Sequence, residues 1–155
     1  AIGYGAGQSN QNSYAIAIGY EAGLEAQGAY NIGIGHLAGS SLQGSNSIAI
    51  GYNAGRDTQG DYSQAMGFRA GQTSQGAQSI AWGFRSGDET QGANAIAIGA
   101  GSGNTQGPNG IAIGYLQVRP SPDDFPRARL HIHGSAKVAN QASVIADLTN
   151  CGVGS

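Results

Sequence analysis

Isoleucines recur along the chain in pairs separated by one small residue: Ile16 and Ile18, Ile32 and Ile34, Ile48 and Ile50, Ile96 and Ile98, Ile111 and Ile113. Two further triplets keep the register with exceptions, Gln64 with Met66 and Ile80 with Trp82, and between the paired positions of all seven stand Ala17, Gly33, Ala49, Ala65, Ala81, Ala97 and Ala112. A period of two is strand logic, because successive side chains on a strand point to opposite faces. Each triplet therefore predicts a short strand, and a glycine closes it. Those glycines are Gly3, Gly19, Gly35, Gly51, Gly67, Gly83, Gly99 and Gly114, spaced by 16 residues six times and then by 15. Second glycines follow four residues later, at Gly7, Gly23, Gly39, Gly55, Gly71, Gly87 and Gly103, which suits a turn needing positive φ. A glutamine column comes next, at Gln11, Gln27, Gln43, Gln59, Gln75, Gln91 and Gln106. The repeat reads S-I-A-I-G-Y-x-A-G-x-x-x-Q-G-x-x, and the last unit lacks one residue between Gly103 and Gln106.

A unit of this length is too short for a helical repeat, which needs more than about 30 residues. It predicts one coil of a solenoid, with two short strands and two tight turns. The fold class expected is all-β: a parallel β-solenoid, or β-roll, of about seven 16-residue coils over residues 1–117. A Pro-rich linker is expected over 118–129 and a short β segment within 130–155. Equivalent residues of successive coils then stack at about 4.8 Å.

The columns suggest what faces where. The nearly invariant isoleucine columns are expected inside the coil, with a core stack of Ile18, Ile34, Ile50, Met66, Trp82, Ile98 and Ile113. The alanines on the opposite strand face are expected at a contact between chains, a trimer interface of Ala17, Ala49, Ala65, Ala81, Ala97 and Ala112. Gln27, Gln43, Gln59, Gln75, Gln91 and Gln106 are expected to stack as an amide ladder that satisfies buried polar groups between coils. The freely varying column Glu21, Leu37, Asn53, Arg69, Arg85 reads as solvent-facing, with the two arginines as exposed like charges. An aromatic column, Tyr4, Tyr20, His36, Tyr52, Phe68, Phe84, Ala100 and Tyr115, reads as packing at a coil corner. Its functional alternative is a ring platform for sugars. Tyr14, Tyr30 and Tyr62, interrupted by Asn46, Gln78 and Asn94, read as an exposed turn.

The segments Ser47-Ile48-Ala49-Ile50-Gly51, Ala95-Ile96-Ala97-Ile98-Gly99 and Gly110-Ile111-Ala112-Ile113-Gly114 carry a family resemblance. The repeat resembles the head repeat of trimeric autotransporter adhesins of the YadA-like type, whose core is N-S-V-A-I-G. The resemblance covers residues 1 to about 117. It implies a left-handed parallel β-roll, three chains side by side and an adhesive role. That family repeats at a shorter period. The longer unit here, with its added A-G-x-x-x-Q-G half, is more similar to repeats in fibre proteins of phages and large DNA viruses.

Composition narrows the function. Charged residues make up 10% of the chain and the formal net charge is −2, which argues against a nucleic-acid groove. The single Cys151 excludes an intrachain disulfide framework and a Cys-rich zinc site. No stretch approaches about 20 apolar residues, so no membrane span is expected. No basic segment followed by an apolar one opens the chain, so no signal peptide is expected in this stretch. Clusters such as Gly99-Ala100-Gly101-Ser102-Gly103 read as turns, because no Gly-Lys-Ser or Gly-Lys-Thr follows them. Carboxylates are few and scattered, and no serine sits in a nucleophile elbow. The chain is expected not to be an enzyme, and no cofactor is expected.

The repeat stops after Tyr115. Pro120, Pro122 and Pro126 follow, and proline cannot donate to a ladder. Residues 127–134 then predict a strand, in a form that resembles junctions of viral tail-fibre proteins. His131 and His133 lie two apart in it, so their rings share one face. In a trimer three such pairs would suit an octahedral late first-row metal, against the plain alternative of ordinary polar side chains. Residues 136–150, with Val138, Val144, Ile145 and Leu148, fit a strand pair or a short helix. Cys151 reads as an inert thiol, with an interchain bridge as the alternative.

The function expected is a structural and adhesive fibre protein: a homotrimeric rod on a virion or cell surface, with a surface glycan or receptor as its partner. The alternatives are a bacterial adhesin head, or a monomeric carbohydrate- or ice-binding solenoid. Thr58, Thr73, Thr90, Thr105 and Thr149 form no T-x-T file, which argues against ice.

Overall fold

From Ile16 onward every turn of the solenoid starts with a three-residue strand, and the strands stack in register, with Ile2 adding a single bridge to Ile18. The computed structural model describes residues 1–115 and 130–132. The strands are β1 (Ile16–Ile18), β2 (Ile32–Ile34), β3 (Ile48–Ile50), β5 (Gln64–Met66), β7 (Ile80–Trp82), β9 (Ile96–Ile98) and β11 (Ile111–Ile113). All pair in parallel, each residue against its equivalent in the next coil, as in Ile32↔Ile48, Gly33↔Ala49 and Ile34↔Ile50. From β1 to β11 the chain makes six turns of a β-solenoid, and no helix occurs among the described residues. β12 (Leu130–Ile132) adds an eighth strand beside β11, although its residues lie outside the repeat.

The opposite wall of the coil is narrower. Two-residue strands β4 (Thr58–Gln59), β6 (Ser74–Gln75), β8 (Thr90–Gln91) and β10 (Thr105–Gln106) form a second parallel sheet. In the earlier coils the same wall is reduced to single bridges, Gln27↔Gln43 and Gln43↔Gln59. The cause is local. Ala26 and Leu42, which precede those glutamines, have φ of 41° and 27°, outside the strand region.

The turns explain the glycines. Gly51 has φ of 129°, and a Cβ there would also run into the carbonyl of Gly67 in the next coil. The same holds up the column, so each of these glycines requires the next coil to approach closely. Gly55 has a second constraint besides its φ of 53°: a Cβ would lie 2.7 Å from Gln59 Oε1. The second glycine and the glutamine four residues later are therefore one device, with the amide filling the space that glycine leaves. The tyrosine turn is confirmed as a corner. Tyr14, Tyr30 and Tyr62 are exposed and left-handed, with φ of 63°, 60° and 58°.

The interior reverses the expectation for the isoleucines. Ala17, Ala49, Ala65, Ala81 and Ala97 are fully buried, and Ala112 nearly so. They line the inside of the coil with Ala22, Ala38, Ala54 and Ala70, with the glutamine column, and with Asn31, Ser47, Ser63 and Ser79. The expected core stack lies on the outside instead. Ile34, Ile50 and Ile98 are partly exposed, and Ile18, Met66, Trp82 and Ile113 are 37%, 37%, 39% and 43% exposed. The reason is cross-section. Two short walls joined by tight turns enclose a space that alanine, serine and one glutamine per coil already fill, and close-packed interiors take no extra bulk.

Candidate functional site

Because the alanines point inward, they make no surface, and the expected alanine interface does not exist on this fold. The surface that does run the length of the rod is the outward side of the wide sheet. It carries two side chains per strand, all apolar from β1 to β11 except Gln64. Six strand spacings of about 4.8 Å make it about 29 Å tall. A continuous apolar stripe of this kind exceeds the scattered exposed residues of ordinary surfaces.

The aromatic column borders this face. Tyr4, Tyr20, His36, Tyr52, Phe68 and Phe84 form one unbroken stack with centroid separations of 5.4, 5.1, 4.9, 5.1 and 5.2 Å. Each ring covers the faces of its neighbours and turns its edges outward. A sugar platform needs an open ring face, so the inner members of the stack are closed to it. Glu21 sits beside the stack and holds the Tyr20 phenol above its ordinary pKa, chiefly through a side-chain hydrogen bond and then through its charge.

The glutamines are buried and bonded, in two different ways. Gln11 Nε2 donates to Gln27 Oε1 at 3.2 Å, and Gln27 Nε2 to Gln43 Oε1 at 3.1 Å, a true amide ladder. Gln11 and Gln27 also donate to Ala15 O and Ile16 O, and from Gln43 onward, where Gln43 Nε2 donates to Ile32 O at 3.2 Å, the amide donates to main chain alone. Gln59 Nε2 donates to Ile48 O at 2.7 Å and Ser63 O at 3.4 Å, and Gln91 Nε2 to Ile80 O at 2.7 Å and Ala95 O at 3.2 Å. Gln75 repeats the pattern, and Gln106 donates to Ile96 O. The Oε1 atoms of Gln59, Gln75, Gln91 and Gln106 accept no conventional hydrogen bond. They lie against the glycine backbone, where the contact available is a weak Cα–H···O one.

The charged corner also differs from its sequence reading. Asp88 is buried, and Arg85 Nε donates to its Oδ2 at 2.7 Å while Arg69 Nε lies 3.7 Å from its Oδ1. Arg69 also donates to Gln72. Asp88 thus draws both arginines together, which relieves the like-charge stacking. Arg56 pairs with Asp57 at 2.7 Å, and that hydrogen bond raises its pKa. Asn53, expected in solvent, is buried.

For the metal candidates, register pairs the backbone of His131 with Ala112, while His133 lies outside the described residues, as does Cys151. Among the described residues no three His, Cys, Asp or Glu side chains come together as a metal site. The outward isoleucine face is what sequence reasoning misplaced. Its signal was present: that column accepts Trp82, Met66 and Gln64, whereas the alanine column accepts nothing larger than alanine. The chain matches no family model, no curated protein and no solved structure.

Proposed function

We propose that this chain is a rod segment of a homotrimeric β-solenoid fibre, displayed on a virion or cell surface and used for attachment. The observation that carries the reading is the half-exposed isoleucine stripe along the whole rod. Water contact over such a stripe is unfavourable by about 25 cal/mol for each Å² of apolar surface. Three parallel copies turning their stripes to one axis would remove it, through identical contacts that close into a ring. The interface of this proposal is the isoleucine side, not the alanine side. The resemblance of the repeat to YadA-like heads and to viral fibre repeats supports three copies and an adhesive role. A stiff rod in triplicate gives avidity for repeated surface ligands.

The chain acts mechanically in this reading, without catalysis. Its mass in solution by light scattering is the test, with three times the chain mass expected. A folded monomer or a dimer overturns the trimer. A glycan array probed with the trimer then separates a receptor-binding segment from a spacer.

A further inference from the structure

The aromatic stack breaks off at one coil and resumes at the next. After Phe84 the column reads Ala100 and then Tyr115. Five successive ring steps between 4.9 and 5.4 Å show that the coil spacing alone sets rings at stacking distance. Ala100 omits one ring. Phe84 is 57% exposed against 41% for Phe68 one coil earlier, since among the described residues no ring stacks on its far face. The adjoining column empties at the same coil, reading Asn53, Arg69, Arg85 and then Gly101. Accordingly the Arg85 side chain is 46% exposed against 37% for Arg69. Arg85 spends Nε on Asp88, and its terminal guanidinium nitrogens make no hydrogen bond among the described residues. The result is a notch floored by Ala100 and Gly101, with Phe84 and Arg85 on the preceding coil and Tyr115 on the following one.

We propose that this notch binds a planar aromatic ring bearing an anionic group. The ring stacks on Phe84 in the place of the missing rung, and the anion meets Arg85. Two coil spacings, about 9.6 Å, separate the coils of Phe84 and Tyr115. A flat ring midway therefore keeps the pitch of the stack on both sides. A puckered saturated ring is thicker and loses the stacking geometry. Charge favours an anion, since Arg69 and Arg85 share the single carboxylate of Asp88. Unlike its glycine neighbours, Ala100 does not have positive φ, so a larger residue fits its backbone.

The test is a nuclear magnetic resonance titration of the whole folded chain with benzoate, benzamide and cyclohexanecarboxylate. Benzoate should saturate one site per chain and shift the Ala100 methyl downfield, because that methyl lies at the edge of the bound ring and in its plane. Benzamide should bind several-fold more weakly, and cyclohexanecarboxylate should not saturate. Ala100→Tyr completes the stack and should abolish benzoate binding. Phe84→Ala should weaken it by about tenfold, the loss of one ring contact. Tyr52→Ala opens an equivalent gap between His36 and Phe68, and should raise the number of benzamide sites from one to two. Benzoate binding that never saturates, or that survives Ala100→Tyr unchanged, overturns the proposal. So does equal binding of cyclohexanecarboxylate.

Discussion

On β3 (Ile48–Ile50) the two faces of one strand differ as sharply as any two regions of the molecule. Ala49 is fully enclosed, while Ile48 and Ile50 on either side of it are partly open to solvent. The interior of the rod is made of alanine, serine, asparagine and glutamine; the exterior of the wide sheet is made of isoleucine, methionine and tryptophan. In an ordinary domain the larger apolar groups are the buried ones. Here the interior is too narrow for them, and main-chain ladders with small close-packed groups hold the coil together. The largest apolar surface stays on the outside of the coil. Stability of the coil is thus assigned to one face of the strands, and the proposed trimer would use the other.

That division can be broken from the inside first. Ala49→Leu puts three extra carbons into a space bounded by the backbone of both walls. It should destabilise the chain by about 3 kcal/mol or prevent folding, as read by urea unfolding followed by circular dichroism. A loss below about 1 kcal/mol would mean that the interior has room and the account of cross-section is wrong.

Gln59→Ala comes next. It removes the donor that serves Ile48 O and Ser63 O, and leaves a void against Gly55. The expected loss is about 2 kcal/mol by the same measurement, from the lost amide hydrogen bonds at about 1 kcal/mol each and the void beside Gly55, although Ser63 O keeps the Ile48 N–H as a donor. Gln27→Ala should cost a similar amount, and should also disconnect the amide-to-amide contact with Gln43.

A smaller effect of opposite sign belongs to the turns. Leu37 holds φ of 54°, a conformation that asparagine accepts more readily. Leu37→Asn should raise stability by about 0.5 kcal/mol, seen as a higher thermal midpoint. Its equivalent one coil later is already Asn53, with φ of 54°.

The least effect on the coil itself, and the sharpest on assembly, is expected from Ile50→Asp. The side chain points outward, so the carboxylate keeps its water in a single chain and should cost less than about 0.5 kcal/mol there. Light scattering should nonetheless show the proposed trimer reduced to single chains with an unchanged β spectrum. An Ile50→Asp chain that stays trimeric would move the interface elsewhere on the rod.

The repeat, its length, the place of the three-residue strands and the glycine turns were legible in the sequence by itself, while the place of the two-residue strands of the narrow wall was not. Period-two alternation requires a strand, a 16-residue unit admits no helical hairpin, and Gly51 and Gly55 stand where L side chains meet strain or collision. The burial of the glutamine column was legible too, since a polar residue kept at one position of every coil needs a repeating partner. Which face of the strand turns inward was decided by the tertiary structure. Alternation defines two faces without ranking them, and the usual preference for burying isoleucine points the wrong way when two walls stand this close. The pairing of Arg69 and Arg85 through Asp88, and the joining of Leu130–Ile132 to the same sheet as β12, were likewise beyond the sequence. Both depend on how the turns bring separate stretches of chain together, and a column of residues does not encode that distance.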